Sequence, residues 1–217
     1  MPASEETRDR TKLVDRATLS LLAVLENDEQ LTQRGLASRI GVALGLTNSL
    51  LKRAAKKGLI KITQAPAKRF VYYITPKGFS EKSRLIGEYL SSSLDFFRQV
   101  REEYTVVFED VKQHEHTRVA LFGMSEIAEI AIISAQETEI DVLAIVQPAS
   151  NQEQFSGLSV VSNLTAMQEL DLSAIVITSA DAPQEAYEML REYFRDEQIF
   201  TVPLLHISRR LNGDAEK

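Results

Sequence analysis

The chain has 217 residues, enough for two small domains, and its 44% hydrophobic content is typical of a folded globular protein. It contains no Cys, which excludes a disulfide framework, a thiolate nucleophile and a thiolate metal site. No apolar stretch approaches the roughly 20 residues that a membrane span needs, and the polar N-terminus lacks the apolar core of a secretory signal. A cytoplasmic protein with no membrane partner is therefore predicted.

The net charge of −6 is unevenly distributed along the chain. Residues 1–90 contain 16 Lys and Arg against nine Asp and Glu, whereas residues 91–217 contain nine against 22. A basic segment matches the phosphate-neutralising part of nucleic-acid binding, and an acidic segment is repelled by nucleic acid. The distribution predicts that the first part of the chain contacts DNA and that the second part stays off it.

Three helices are predicted first, after a frayed polar tail. Residues 15–26 form a helix whose buried stripe consists of Ala17, Leu21, Leu22 and Leu25. A second helix starts at Thr32, which can cap it, and ends at Gly41. Residues 42–58 form the third helix, on which five apolar residues recur at helical spacing and are expected to face the core: Val42, Leu46, Leu50, Leu51 and Ala54.

Two short β-patterned segments follow, over residues 59–63 and 69–75, joined by a turn at residues 64–67. Two helices followed by a β-hairpin are the order of a winged helix-turn-helix domain, so double-stranded DNA is the predicted partner.

In that arrangement the third helix enters the major groove by its N-terminal end. Asn48 is the best candidate for base reading, because its amide can pair bidentately with adenine. The other candidates are expected to contact base edges, phosphates or the minor groove. The full predicted DNA-binding set is Thr32, Gln33, Arg34, Ala43, Leu44, Gly45, Thr47, Asn48, Ser49, Lys52, Arg53, Lys68 and Arg69.

Residues 31–62 and 72–85 resemble the MarR-like winged-helix transcriptional regulators, especially the group associated with exopolysaccharide gene clusters. The resemblance covers roughly residues 12–90. The segments 44–48, 51–52, 57–58 and 75–78 match the residues of that group, except at Leu46. The group usually has Lys at that position, so a basic contact is lost there. The resemblance implies a winged-helix fold and a role in transcription regulation.

A connecting helix is predicted over residues 76–114, either continuous or broken near residues 91–93. Apolar residues recur every seven positions, which is the pattern of a coiled coil. We expect this stripe to pair with the same helix of a second chain, giving a homodimer. The alternative is that the stripe packs on the C-terminal domain of its own chain. The stripe consists of Leu90, Leu94, Phe97, Val100, Tyr104, Val107, Phe108 and Val111, with Ser93 as a weak member.

Residues 115–217 alternate apolar strands with helices, which predicts a parallel sheet of Rossmann-like winding. The expected strands are 117–123, 140–148, 158–161, 173–179 and 201–207, and the expected helices are 124–137, 164–170 and 182–194. The predicted fold is thus an α+β winged helix-turn-helix domain (1–75), a long connecting helix (76–114) and an α/β Rossmann-like parallel-sheet domain (115–217).

Ligands of such sheets bind beyond the carboxyl ends of the strands, where this chain has Gly123, Met124, Ser125, Gln147, Ser179 and Asp181. Residues 123–128 form an eroded dinucleotide fingerprint, because Ser125 replaces the second glycine and Glu126 adds a negative charge. No acidic residue ends the second strand, so no cofactor is predicted. Residues 158–183 are similar to the Rossmann domains that precede polysaccharide-biosynthesis and nucleotide-sugar enzymes. His114 and His116 lack the further ligands that a metal site needs.

The sequence therefore predicts a dimeric DNA-binding transcriptional regulator that is not an enzyme. Its C-terminal domain would sense a small-molecule effector or organise the dimer. One alternative is a nucleotide- or nucleotide-sugar-binding enzyme that carries a winged-helix appendage. Another is a scaffold in which both domains bind only proteins.

Overall fold

A computed structural model describes residues 3–27, 31–65 and 69–209. The chain divides into two compact units, Met1–Leu94 and Asp95–Lys217. One long helix contributes its first half to the first unit and its second half to the second. The first unit contains α1 (Ala3–Asn27), α2 (Gln33–Ile40), α3 (Leu44–Lys56), β1 (Ile60–Ala65), β2 (Arg69–Ile74) and the start of α4 (Pro76–Gln113).

The predicted winged helix-turn-helix is confirmed in the first unit. β1 and β2 pair in antiparallel fashion, with Ile60 opposite Ile74. A buried cluster joins the three helices to this hairpin: Leu21, Leu22, Leu25, Leu36, Leu50, Leu51, Ala54, Leu59, Ile60 and Tyr72. The predicted start of the first helix is wrong, because α1 begins at Ala3 and the segment read as a frayed tail is helical from that residue.

The predicted ends of α2 are confirmed. The Thr32 side-chain oxygen accepts a 3.1 Å hydrogen bond from the Gly35 backbone N–H and so caps the helix. Gly41 ends it with a φ of +67°, a left-handed conformation that glycine adopts without steric cost. These two residues set where the chain turns toward α3.

The predicted core face of α3 is wrong at Val42, which precedes the helix, and at Leu46. Leu46 has 47% of its surface exposed, whereas the next residue, Thr47, is fully buried. Burial of Thr47 carries little polar cost, because its hydroxyl donates to the Ala43 carbonyl oxygen at 3.2 Å. The buried face of α3 therefore includes Thr47, together with Leu50, Leu51 and Ala54.

A tight junction links the base of the hairpin to the first turn of α4. The Thr75 hydroxyl lies 2.6 Å from the Gly58 carbonyl oxygen and 3.1 Å from that of Leu59. The same oxygen accepts a 3.0 Å hydrogen bond from the Gly78 backbone N–H. A Cβ at Gly78 would overlap the Leu59 carbonyl oxygen, so only glycine permits this approach.

The connecting helix α4 is continuous through residues 91–93, where a break was considered. The expectation that its whole apolar stripe pairs with a second chain is wrong. Val100, Tyr104, Phe108 and Val111 are completely buried in the core of the second unit. The alternative, packing on the C-terminal domain of the same chain, is therefore correct for the second half of the helix. Leu90, Ser93 and Leu94 of the predicted stripe are exposed.

The second unit is a mixed sheet with the predicted Rossmann-like winding. Its parallel strands, in the spatial order β6-β4-β3-β7-β8, follow the 3-2-1-4-5 pattern of doubly wound folds, and β5 pairs antiparallel at the edge. The strands are β3 (Val119–Phe122), β4 (Val142–Val146), β5 (Gln154–Phe155), β6 (Leu158–Val161), β7 (Ala174–Ile177) and β8 (Ile199–Phe200). The helices are α5 (Glu126–Glu137), α6 (Leu164–Glu169) and α7 (Pro183–Leu190).

The last strand departs from the prediction. It occupies Ile199–Phe200 rather than residues 201–207, and Pro203–Leu205 form a short 3-10 turn instead. Pro203 lacks the backbone N–H that a further strand pairing would need, which explains why the strand ends before it. The short strand β5 was not predicted.

Candidate nucleic-acid interface

One face of α3 is exposed along its length. Gly45, Ser49, Lys52, Arg53 and Lys56 recur at the spacing of a single helical stripe, and all five are exposed. Three of them are cations, so the stripe combines small polar residues near the N-terminus of the helix with positive charge toward its C-terminus. This distribution suits base contacts at one end and phosphate contacts at the other.

The start of α3 is also open. Its N-cap residue, Ala43, has no side chain that can satisfy the first backbone N–H groups, and Ala43 and Leu44 are both exposed. The first N–H groups of a helix have no partner within the helix, so they are available to an acceptor outside it. The structure thus places Ala43, Leu44 and Gly45 together at one end of the stripe.

Thr47 does not join this surface. The expectation that its hydroxyl lies at the exposed end of α3 is wrong, because the side chain is buried and its donor is used by the Ala43 carbonyl. Leu46, which was expected to face the core, is exposed instead.

Asn48 is only partly exposed and lies beside the hairpin rather than at the centre of the stripe. Its Oδ1 atom is buried and has no hydrogen-bond partner in the described structure. It lines a cleft of about 390 Å³ between α3 and the hairpin, together with Gln33, Leu51, Lys52, Ile62, Phe70 and Tyr72. The Tyr72 hydroxyl is likewise buried without a partner.

The remaining predicted DNA-binding residues are distributed around this face. Thr32 and Arg34 are exposed at the start of α2, and Gln33 is half-buried and lines the cleft. Arg69 begins β2, and Lys68 lies outside the described residues. Sequence reasoning missed Tyr72. Strand alternation could have found it, because a tyrosine on the inner face of a strand needs a partner for its hydroxyl.

The predicted ligand residues of the second unit meet at the switch point of the sheet, between β3 and β7. A Cβ at Gly123 would lie 2.5 Å from both the Cα and the N atom of Ser179, so the two backbones are already in contact. The Thr178 hydroxyl donates to the Gly123 carbonyl oxygen at 2.6 Å. This contact lies at the position where doubly wound folds bind nucleotides.

The polar groups around that position are paired with one another. The Met124 backbone N–H donates to Gln147 Oε1 at 2.8 Å, and the Ser125 hydroxyl donates to the Thr178 carbonyl oxygen at 2.7 Å. Ser125 also caps α5, by accepting from the Ala128 N–H. Asp181 is exposed. The N–H groups that a phosphate would use are therefore partly occupied by the chain itself.

His114 and His116 stack on each other at 6.2 Å between ring centroids, and both rings approach Phe200 edge-on. Burial lowers the pKa of His116, and the neighbouring His114 lowers it further. Within residues 3–27, 31–65 and 69–209, no three His, Asp or Glu side chains are placed to hold a metal ion. In the same part of the chain, no helix is long and apolar enough to cross a membrane.

Comparison with known families supports the reading of the first unit. Residues 14–61 match the model of a winged helix-turn-helix DNA-binding domain. The match covers α2, α3 and most of α1, which are the elements that place the exposed stripe of α3. The first unit therefore has the winged helix-turn-helix fold, and its helices are similar to a family of DNA-binding domains.

Several solved structures show a weaker likeness. The transcriptional regulator MosR of M. tuberculosis is 23% identical, with 44% of this chain and 76% of that chain covered and a TM-score of 0.34. A MarR family transcriptional regulator from Silicibacter pomeroyi is 22% identical over 36% of this chain and 56% of that chain, with a TM-score of 0.31. The PcaV regulator of Streptomyces coelicolor is 17% identical over 52% of this chain and 93% of that chain, with a TM-score of 0.38.

TM-scores this low carry no argument about fold or function. No curated protein matches the chain. The features that bear on function are the winged helix-turn-helix match and the geometry of the described residues.

Proposed function

We propose that the chain is a transcriptional regulator that binds double-stranded DNA through α3. The observation that carries this proposal is the exposed stripe of Gly45, Ser49, Lys52, Arg53 and Lys56 on the recognition helix of a DNA-binding winged helix. The positive charge of the first 90 residues supports it, because phosphate neutralisation supplies most of the affinity for duplex DNA.

In this proposal one end of the stripe contacts bases and the other end contacts phosphates. The N-terminal end of α3, with Leu44, Gly45, Asn48 and Ser49, contacts base edges in the major groove. Lys52 and Arg53 contact phosphates, as do Thr32 and Arg34 at the start of α2. Lys68 and Arg69 contact the backbone or the minor groove. Thr47 is excluded from this set because its side chain is buried.

The regulator acts as a homodimer, so that two recognition helices meet two half-sites. The support is an apolar row in the first half of α4. Ile86, Leu90 and Leu94 recur every four residues and are 38%, 53% and 53% exposed, and Tyr89 lies beside them. An exposed apolar row of this kind is typical of a surface that another chain covers. The predicted dimer contact is thus confined to the part of the stripe that the second unit does not bury.

The second unit serves to organise the dimer or to bind a small-molecule effector, and the chain is not an enzyme. The occupied N–H groups at the switch point favour the organising role over a nucleotide site. We also propose that the first unit is MarR-like and of the type associated with exopolysaccharide gene clusters. This part of the proposal depends on the resemblance of residues 31–62 and 72–85.

DNA-affinity selection on fragments of the source genome, followed by sequencing, tests the proposed function. We expect the full chain to retain fragments that share an inverted repeat, because a dimer with two-fold symmetry reads two half-sites. The matched control carries Lys52→Ala and Arg53→Ala, which should abolish the enrichment. Uniform retention of all fragments, or none, would contradict a sequence-specific regulator.

A further inference from the structure

Two residues that line the same cleft in the first unit each have a buried polar atom without a partner in the described structure. Asn48 contributes its side-chain oxygen Oδ1 from α3, and Tyr72 contributes its hydroxyl from β2. The Tyr72 residue is only 1% exposed. The cleft walls also include Leu51, Ile62 and Phe70, which offer no side-chain hydrogen-bonding groups.

The two atoms are chemically complementary. An amide oxygen only accepts hydrogen bonds, and a tyrosine hydroxyl can donate one. Leaving either group buried and unpaired costs free energy, and native proteins pair almost all such groups with protein or ordered water. Both residues line the same cleft, which has a volume of about 390 Å³.

We propose that Tyr72 is a specificity-determining residue that positions the Asn48 amide for DNA reading. In the DNA-bound protein its hydroxyl donates directly to Asn48 Oδ1. This inference rests on the proposed function, because it assumes that α3 contacts base edges.

The consequence is a change in what Asn48 can read. An asparagine recognises adenine bidentately when its oxygen accepts from the adenine N6 amino group and its NH₂ donates to N7. When Tyr72 occupies the oxygen, only the NH₂ group faces the DNA. A lone donor bonds to N7 of either purine, so Asn48 distinguishes purines from pyrimidines without choosing between adenine and guanine.

Removal of the Tyr72 hydroxyl should therefore sharpen the specificity. In Tyr72→Phe the Asn48 oxygen is released, and the amide can rotate to make both hydrogen bonds to adenine. We expect the parent chain to accept adenine and guanine about equally at one position of its site, and Tyr72→Phe to prefer adenine there by about tenfold. A residue that only supported the fold would weaken binding at every position instead.

The test is selection from a randomised duplex library with the full chain, followed by sequencing of the retained duplexes. It compares the parent, Tyr72→Phe, Asn48→Ala and the double variant. Tyr73→Phe is the matched control, because Tyr73 is the next residue on β2 and is exposed rather than buried. Thermal unfolding of each variant is measured alongside, and Tyr72→Phe should unfold at or above the parent's temperature, because it removes a buried hydroxyl that has no partner in the free chain.

The expected result is a purine position in the parent that becomes an adenine position in Tyr72→Phe only. Asn48→Ala should lose the preference at that position, and adding Tyr72→Phe to it should change nothing further. An unchanged preference in Tyr72→Phe, a loss at all positions, or an unaffected preference in Asn48→Ala would each overturn the inference. Absence of any enrichment by the parent would instead overturn the proposed function, and the inference with it.

Discussion

The Tyr104 hydroxyl donates a 2.8 Å hydrogen bond to the backbone carbonyl oxygen of Ile177. Tyr104 is fully buried on α4, and Ile177 is the last residue of β7. The bond therefore fixes the second half of α4 at the carboxyl end of the sheet. Around it the contact is apolar, through Val100 and Phe108 among others, so this buried polar pair is one of the contacts that fix how the helix lies on its own domain.

Tyr104→Phe should lower the free energy of unfolding by about 1 to 2 kcal/mol, because it removes the donor from a buried carbonyl while keeping the ring. Chemical denaturation of the full chain measures the change. Tyr193→Phe is the control, since Tyr193 is 36% exposed, and it should have little effect. Equal effects of the two substitutions would show that the Tyr104 bond contributes nothing specific.

The same tyrosine should resist ionisation at high pH. Burial raises the pKa of Tyr104, and the nearby Glu103 carboxylate raises it further. Because the folded-state pKa lies above the unfolded value of about 10, this contribution to stability is complete below about pH 10 and declines as the pH rises above it. Up to about pH 11 the folded parent and Tyr104→Phe should show the same phenolate absorbance. After unfolding in denaturant at this pH, the parent should gain one phenolate more than Tyr104→Phe does. An equal gain of phenolate in the two proteins would contradict the prediction.

Gly123→Ala should destabilise the second unit by about 3 kcal/mol or more, because the new Cβ would lie 2.5 Å from the Ser179 backbone. Gly157→Ala provides a control of the same backbone type. Both glycines have positive φ values, +105° and +88°, but nothing lies within 4 Å of a Cβ at Gly157. That variant should lose only about 1 kcal/mol to backbone strain. Thermal unfolding distinguishes the two. Similar losses would mean that the Gly123–Ser179 contact can relax.

Lys52→Ala should weaken binding to duplex DNA of any sequence and reduce the slope of log affinity against log salt by about one. Each phosphate contact releases condensed counterions when the protein binds. A variant that lacks one contact releases fewer of them, so its slope is smaller. Fluorescence anisotropy with a labelled duplex at several salt concentrations gives both quantities. Arg98→Ala is the control, because Arg98 is exposed on α4 and forms an ion pair with Asp95 within its own helix. A reduced slope in both variants would point to a general charge effect.

Leu90→Glu should dissociate the proposed dimer, because a carboxylate in the apolar row of α4 cannot be buried without a partner. Sedimentation velocity at several protein concentrations measures the mass of the particle. Val106→Glu places the same charge on the same helix at a residue that is 64% exposed outside this row, and it should leave the dimer intact. A monomeric parent would contradict the dimer outright.

The sequence predicted the boundaries of α2 well, because its caps are local. Thr32 and Gly41 act through hydrogen bonds and a backbone conformation that involve only neighbouring residues. The face of α3 was harder to predict. Successive helical residues lie 100° apart, so a short apolar pattern leaves the rotation of the helix uncertain by one residue. The Thr47 hydroxyl, which pairs within the helix, allowed Thr47 rather than Leu46 to be buried.

The apolar stripe of α4 does not by itself predict which surface covers it. Apolar residues every seven positions indicate that one face is covered, whether by a second chain or by the same chain. In the structure, Arg101 on α4 forms an ion pair with Glu137 on α5, and Glu103 accepts from the Leu204 N–H. Such contacts between residues far apart in sequence decide the partner, and no local pattern predicts them.

The junction at Thr75 and Gly78 determines how motion can pass through the winged helix. The start of β1 and the first turn of α4 share hydrogen bonds through one hydroxyl and touch backbone to backbone, without side chains between them. Close-packed contacts of this kind transmit displacement instead of absorbing it. A tilt of the first turn of α4 must therefore carry the root of the hairpin with it. We therefore expect α4 and the hairpin to move together, so that a displacement of the start of α4 also displaces the hairpin.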